Sequence, residues 1–204
     1  MMPTGKQGEP AVAKFESSLE RDFYVLLEFD PLVLRWDPQP VRLQVSPGLP
    51  SYVPDTLVSY AGDHDRPGSE YRVLYEIKYR DELKKNWGQL KPRFIAAKRY
   101  ARSQGWQFRI ITEREIRGTE FLWNAKFLLP YIHDAISDGE YALLTKTLRH
   151  QDLSTPFKLL AACASDPWEQ ARLLNALWHL VAVRDIECDL SIRLTMQSEI
   201  WLRG

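Results

Sequence analysis

Two short apolar runs of this chain carry charge where charge is costly. "SYVPDTLVSY" (residues 51–60) holds Asp55, and "RVLYEIKY" (residues 72–79) holds Glu76 and Lys78. Both runs are bounded by turn formers and rich in β-branched and aromatic residues, so they read as strands. The intervening "AGDHDRPGSE" suits a hairpin connection. Ionised side chains are expensive to bury unless paired or metal-bound. Either these strands keep one wet face, or the charges do chemistry. Residues two apart on a strand share a face, so Glu76 and Lys78 project together while Tyr75, Ile77 and Tyr79 face the other way.

Around this pair the chain reads as an α/β unit. Residues 1–14 are expected to be a flexible lead. Leu19, Phe23 and Leu27 recur at i, i+4 and i+8, which predicts an amphipathic helix ending before Pro31. "LVLRW" and "VRLQV" are strand-like runs separated by the turn "DPQP". Leu90, Phe94, Ala97 and Ala101 predict a helix from about Gln89 to Ser103, ended by Gly105. "WQFRIITERE" then reads as a strand running into a helix start. Residues 15–117 are therefore expected to form a mixed sheet flanked by helices.

After Gly118 the texture changes. "FLWNAKFLLPYIHDAI", "GEYALLTKTLRH", "TPFKLLAACAS" and "PWEQARLLNALWHLVAV" read as helices, and "IECDLSIRL" and "SEIWLR" as two short strands. Helices followed by a small hairpin predict a winged-helix-like domain over residues 118–204. Its DNA-reading helix would be the one at about Pro167–Val183, but Arg172 is the only Lys or Arg there. A major-groove reader needs outward Arg, Lys, Asn or Gln, so this domain is read as a protein-docking module. Trp123, Trp168, Trp178 and Trp201 are its candidate anchors, although each taken singly is more simply a core residue.

Composition excludes several classes. No apolar run approaches the ~20 residues of a membrane span, and the polar N-terminus lacks a signal-peptide core, so no membrane partner and a cytoplasmic location are expected. Cys163 and Cys188 lack CxxC spacing, which argues against a cysteine zinc site. His133, His150 and His179 show no ligand spacing, and His64 reads as a solvated loop residue. The formal net charge is zero but unevenly spread. Residues 1–77 carry 7 basic and 12 acidic side chains (−5), residues 78–117 carry 12 and 4 (+8), and residues 118–204 carry 8 and 11 (−3). The central block is a phosphate-facing candidate, with Lys84, Lys85, Lys91, Arg93, Lys98 and Arg99 as its DNA-binding residues. A solvated helix face accounts for the same charges.

Asp55 beside Glu76 and Lys78 has a specific use. Two carboxylates on adjacent strands suit magnesium, a hard cation that needs one or two protein carboxylates plus waters and phosphate. A neighbouring lysine can hold a water or offset charge developing on a phosphate. Together they supply what phosphodiester hydrolysis needs. Pro54-Asp55 followed by Glu76-Ile77-Lys78 has the spacing of the PD-(D/E)xK nuclease motif. A cross-strand ion pair would use the same residues. If the strand face is wet, Asp55→Ala or Lys78→Ala should leave folding nearly intact.

The similarity extends beyond the motif. "SLERDFYVLLEFDPLVLRWDPQPVRL", "YVPDTLV", "YEIKYRDEL" and "WQFRIITEREI" follow in an order that resembles the TnsA endonuclease family, over about Phe15–Arg117. The resemblance implies a restriction-endonuclease-like fold and an active site of Glu20, Asp55, Glu76 and Lys78. Asp55, Glu76 and Glu20 would be the metal ligands, with Mg2+ as cofactor and Mn2+ able to replace it. It implies cleavage at the 5′ ends of a transposon, on double-stranded DNA, beside a DDE-type transposase and an AAA+ ATPase regulator. Glu20 also fits a capping box with Ser17, Gln39 reads as a turn residue, and Glu113 and Glu115 suit a first helical turn. A free-standing restriction- or repair-type nuclease, or a non-catalytic DNA clamp of the same fold, remain the alternatives.

Overall fold

The computed structural model describes residues 5–6, 17–46, 48, 50–62 and 69–204. The chain divides into two compact units, Met1–Gly118 and Thr119–Gly204.

In the first unit, α1 (Ser18–Phe29) starts where the Ser17 hydroxyl accepts the Glu20 amide at 3.1 Å, and it stops at Asp30 ahead of Pro31. Four strands follow in a mixed sheet: β1 (Val33–Pro38), β2 (Thr56–Ala61), β3 (Glu70–Ile77) and β4 (Gln107–Ile111). Their spatial order is the chain order. β1, β2 and β3 are antiparallel neighbours, and β4 lies parallel to β3 after the crossover through α2 (Arg80–Ser103). A short α3 (Glu113–Arg117) ends the unit, its start fixed by a capping box between Thr112 and Glu115.

Alternation along β3 sorts two cores. Val73, Tyr75 and Ile77 join Phe23, Leu27 and Trp36 in one apolar cluster. Leu74 joins Leu43, Tyr52, Leu90 and Phe94 in another, built on α2. Glu76 follows Leu74 in the same row, so the pleat aims it to the α2 side. Trp36 is fully buried, stacked on Tyr24 at 4.2 Å between ring centroids, and its indole N–H donates to Glu28 at 2.7 Å.

Two expectations change. "VRLQV" is not a strand; Leu43 makes only an isolated bridge with Tyr52. α2 begins at Arg80, nine residues before Gln89. Its first half carries little apolar periodicity, and Pro92 reads as a first-turn residue when it stands inside the helix. Of the lead over 1–14 only Gly5 and Lys6 are among the described residues, and the rest of that expectation lies outside them. The Lys6 ammonium donates to the Asp30 carbonyl at 2.6 Å, and the Gly5 amide to Glu28 at 3.0 Å.

The second unit packs α4 (Phe121–Leu128), a 3-10 turn (Leu129–His133), α5 (Asp138–Gln151), α6 (Pro156–Cys163) and α7 (Pro167–Ala182) with a three-stranded sheet. The strands are β5 (Leu153–Ser154), β6 (Ile186–Cys188) and β7 (Ile200–Leu202), in the order β5-β7-β6, all antiparallel. Asn124, fully buried on α4, donates to the carbonyls of Leu190 and Ile192 and accepts the Leu194 amide. The β6–β7 loop is thereby pinned to α4, and the Arg193 guanidinium lies 4.1 Å over Trp123. Of the four tryptophans Trp178 is core, whereas Trp168 is 85% exposed.

Candidate active site

The charges of the two apolar runs meet at the C-terminal end of β3. Asp55 stands one residue before β2, where its amide donates to the Tyr75 carbonyl at 3.1 Å and its carbonyl accepts the Gln39 amide at 2.8 Å. Gln39 is a turn residue, as expected, with φ of +46°, and that turn sets the Asp55 backbone. The Asp55 carboxylate accepts the Ile77 amide at 2.6 Å through Oδ2. Glu76 is the penultimate residue of β3, and Lys78 follows its end, its amide bonded to the Ile111 carbonyl at 3.1 Å.

The Lys78 ammonium lies 3.1 Å from Glu76 Oε1, 3.7 Å from Asp55 Oδ2 and 3.2 Å from the Ile77 carbonyl. Three oxygens therefore surround one cation. The site is not on a wet face: Glu76 is 2% exposed, and the carboxylate of Asp55 and the side chain of Lys78 are mostly covered. The packing of α2 and of the residue 43–52 segment over this row of β3 covers it.

Burial shapes the electrostatics. It pushes the Asp55 carboxyl well above the usual carboxylate range; the Glu76 charge adds to this, Lys78 and the Ile77 amide oppose it, and Glu20 adds a further push. Burial likewise raises Glu76 against the pull of Lys78 and the Tyr52 hydroxyl. Burial works against the Lys78 charge, but the carboxylates of Asp55 and Glu76 outweigh it and hold its pKa above the ordinary value.

Glu20 lies in the first turn of α1 and is buried, with its charge felt at Asp55. Two site residues escaped the sequence reading. Tyr52 donates its hydroxyl to Glu76 Oε2 from within the α2-side core. Glu82, in the first turn of α2, is close enough for its charge to raise both Glu76 and Lys78. A helix start at Arg80 would have revealed Glu82; nothing local marks Tyr52.

Lys84, Lys85, Lys91, Arg93, Lys98 and Arg99 are all exposed on α2 but do not share one face. At 3.6 residues per turn, Arg93 falls on the flank of Glu82, Asn86 and Gln89, and its charge reaches Tyr52. Lys84, Lys91 and Lys98, seven apart, form a separate stripe with Trp87 and Ile95. Glu113 accepts the Arg80 amide at 3.0 Å and so caps α2, and Glu115 serves its own capping box. His64 lies outside the described residues.

Among the described residues no three acidic, histidine or cysteine side chains converge as a metal cage. The donor chemistry nonetheless fits magnesium, since hard oxygens from two carboxylates and a main-chain carbonyl already surround a cation, and magnesium keeps several waters.

No curated protein matches this chain. Residues 30–113 match the family described as TnsA-like endonuclease N terminal. That span holds Asp55, Glu76, Lys78 and the six candidate DNA-binding cations of α2, while Glu20 lies before it. Over this part of its length the chain is similar to the TnsA-like endonuclease N-terminal family.

Proposed function

We propose that this chain is the magnesium-dependent endonuclease subunit of a heteromeric transposase, hydrolysing phosphodiester bonds at the 5′ ends of the transposon. The observation that carries the proposal is the convergence of Asp55, Glu76 and Lys78 at one end of β3 in a TnsA-like domain. Asp55 and Glu76 would hold the ion, with Glu20 as a further ligand from α1. When bound, the ion supplies Lewis acidity toward the phosphate and lowers the pKa of a coordinated water. The Lys78 ammonium, held between the two carboxylates, donates to a phosphate oxygen or to the attacking water. It also offsets charge that builds on the pentavalent phosphorus. Arg93, on the site flank of α2, takes a backbone phosphate of the duplex. The remaining cations of α2 lend sequence-independent attraction.

The second unit is proposed as a winged-helix-like module on the strength of its order of helices and its β5-β7-β6 sheet. Its α7 exposes Trp168, Glu169, Ala171, Arg172 and Asn175, and Arg172 is paired to Glu140 at 3.3 Å. A surface with one cation, already engaged, is poorly suited to a phosphate backbone. The module is proposed to dock onto the AAA+ ATPase regulator, with Trp168 as an anchor, while the DDE-type transposase cuts the 3′ ends.

The test is strand-mapped cleavage of a transposon-end duplex in magnesium, with both partners present, comparing wild type with Lys78→Ala. Loss of 5′-end cuts with 3′-end cuts retained is the expected result. Equal cutting by both proteins would remove Lys78 from catalysis and favour the assembly role. Cutting by the chain alone would favour a free-standing nuclease.

A further inference from the structure

One polar contact at the site comes from outside the nuclease motif. Tyr52 is 6% exposed, and its ring packs among Leu43, Leu74, Leu90 and Phe94. Its backbone is held in register by paired bonds with Leu43, at 2.7 and 2.8 Å. From that fixed position its hydroxyl donates to Glu76 Oε2, while Oε1 of the same carboxylate faces the Lys78 ammonium at 3.1 Å. We propose that Tyr52 is the positioning residue of this site. It ties one Glu76 oxygen so that the other alone is presented toward Asp55 and Lys78, and Glu76 binds a divalent cation through Oε1 only. The inference rests on the reading of Asp55 and Glu76 as a metal site.

The terminal torsion of a glutamate is soft, so an untethered Glu76 would present either oxygen or both. A rigid donor removes that freedom. The ring's burial alone is what a core tyrosine shows; the hydroxyl on Glu76 is what a phenylalanine could not supply. A buried phenol requires a polar partner, and here the partner is the site's own carboxylate. The segment from Gln39 to Asp55 thus has two tasks. It carries Asp55, three residues beyond Tyr52, and it aims the carboxylate that Asp55 works with. Partners that orient metal-binding carboxylates typically change affinity by 10- to 100-fold when removed.

The experiment is a Mn2+ titration of the full chain alone, reading free Mn2+ by electron paramagnetic resonance, for wild type, Tyr52→Phe and Glu76→Gln. We expect Tyr52→Phe to bind about 10- to 100-fold more weakly than wild type and Glu76→Gln to lose binding. Tyr52→Phe binding as wild type does, with Glu76→Gln lost, overturns the positioning role and leaves the metal reading standing. Glu76→Gln binding as wild type does overturns the metal reading, and the role of Tyr52 with it. Should Tyr52→Phe fail to fold, 3-fluorotyrosine placed at position 52 of the otherwise unaltered chain serves instead. Its 19F resonance should move on Mg2+ addition. A resonance unmoved while Mn2+ still binds at Glu76 overturns the proposal.

Discussion

Lys78 neutralises carboxylates that the fold has taken out of water. With Glu76 at 2% exposure, removal of the ammonium leaves a buried charge without its cation. Sequence alone suggested that Lys78→Ala would leave folding nearly intact; the burial reverses that expectation. We expect Lys78→Ala to cost about 2–3 kcal/mol in chelator-treated guanidinium melts, below the range for fully buried pairs because the lysine retains some exposure. Equal stability of the two proteins would show that water reaches Glu76. Asp55 acts in the opposite sense. Burial, with Glu76, lifts it from its ordinary 3.8 to about 7. The folded state therefore binds this proton more tightly than the unfolded chain. The stability it contributes is complete below the unfolded value and lost as pH rises through about 7. The metal-free protein should therefore lose stability between about pH 4 and pH 7, and Asp55→Asn should flatten that dependence in thermal melts. Parallel profiles for the two proteins would contradict it.

Two helices and a strand end must stay in register for the Glu20 charge to be felt at Asp55, and Arg117 on α3 links them. Its guanidinium grips Asp22 of α1 at 2.6 and 2.7 Å, and also donates to Ser18 of α1 and to Tyr79, the residue after Lys78, at 3.2 Å each. Asp22 is 3% exposed, so this pair secures the N-terminal half of α1 against the start of α2. Arg117→Ala should destabilise the unit by about 2 kcal/mol and speed amide exchange across the first turns of α1. Exchange confined to α3 would show that Glu20 is held without Arg117. The same element shows why a helix boundary mattered. "RDELKKNWGQ" has Leu83 alone as an apolar residue besides Trp87, so periodicity announces α2 only from Leu90. The N-terminus instead receives its cap from Glu113, which is 33 residues away in sequence from Arg80.

At the scale of the molecule, charge and contacts divide at the same place. The basic block of residues 78–117 belongs to the first unit, and the acidic remainder after Gly118 to the second. Each unit has its own apolar interior, the first on the two sides of its sheet and the second around Leu144, Leu148, Leu177 and Leu180. A chain ending at Gly118 is therefore expected to keep its far-ultraviolet circular dichroism and its Mn2+ affinity within about twofold. An unfolded fragment would show that the second unit is needed for the first to fold.

What sequence determined here is local. Glu76 and Lys78 are two residues apart on a strand and share a face by geometry, and the Pro54-Asp55 pair sits at the edge of the neighbouring run. The amphipathic spacing of Leu19, Phe23 and Leu27 likewise placed the helix that bears Glu20, because periodicity records which side of an element is covered. The tertiary structure decided what does the covering. Whether the Glu76 row was wet depended on α2 and the 43–52 segment lying over it. That Tyr52 would reach Glu76 depended on an isolated bridge between Leu43 and Tyr52, outside any strand among the described residues. The dielectric around a charge, and the partners across a sheet, come from residues distant in the chain, so short-range pattern carries no record of them.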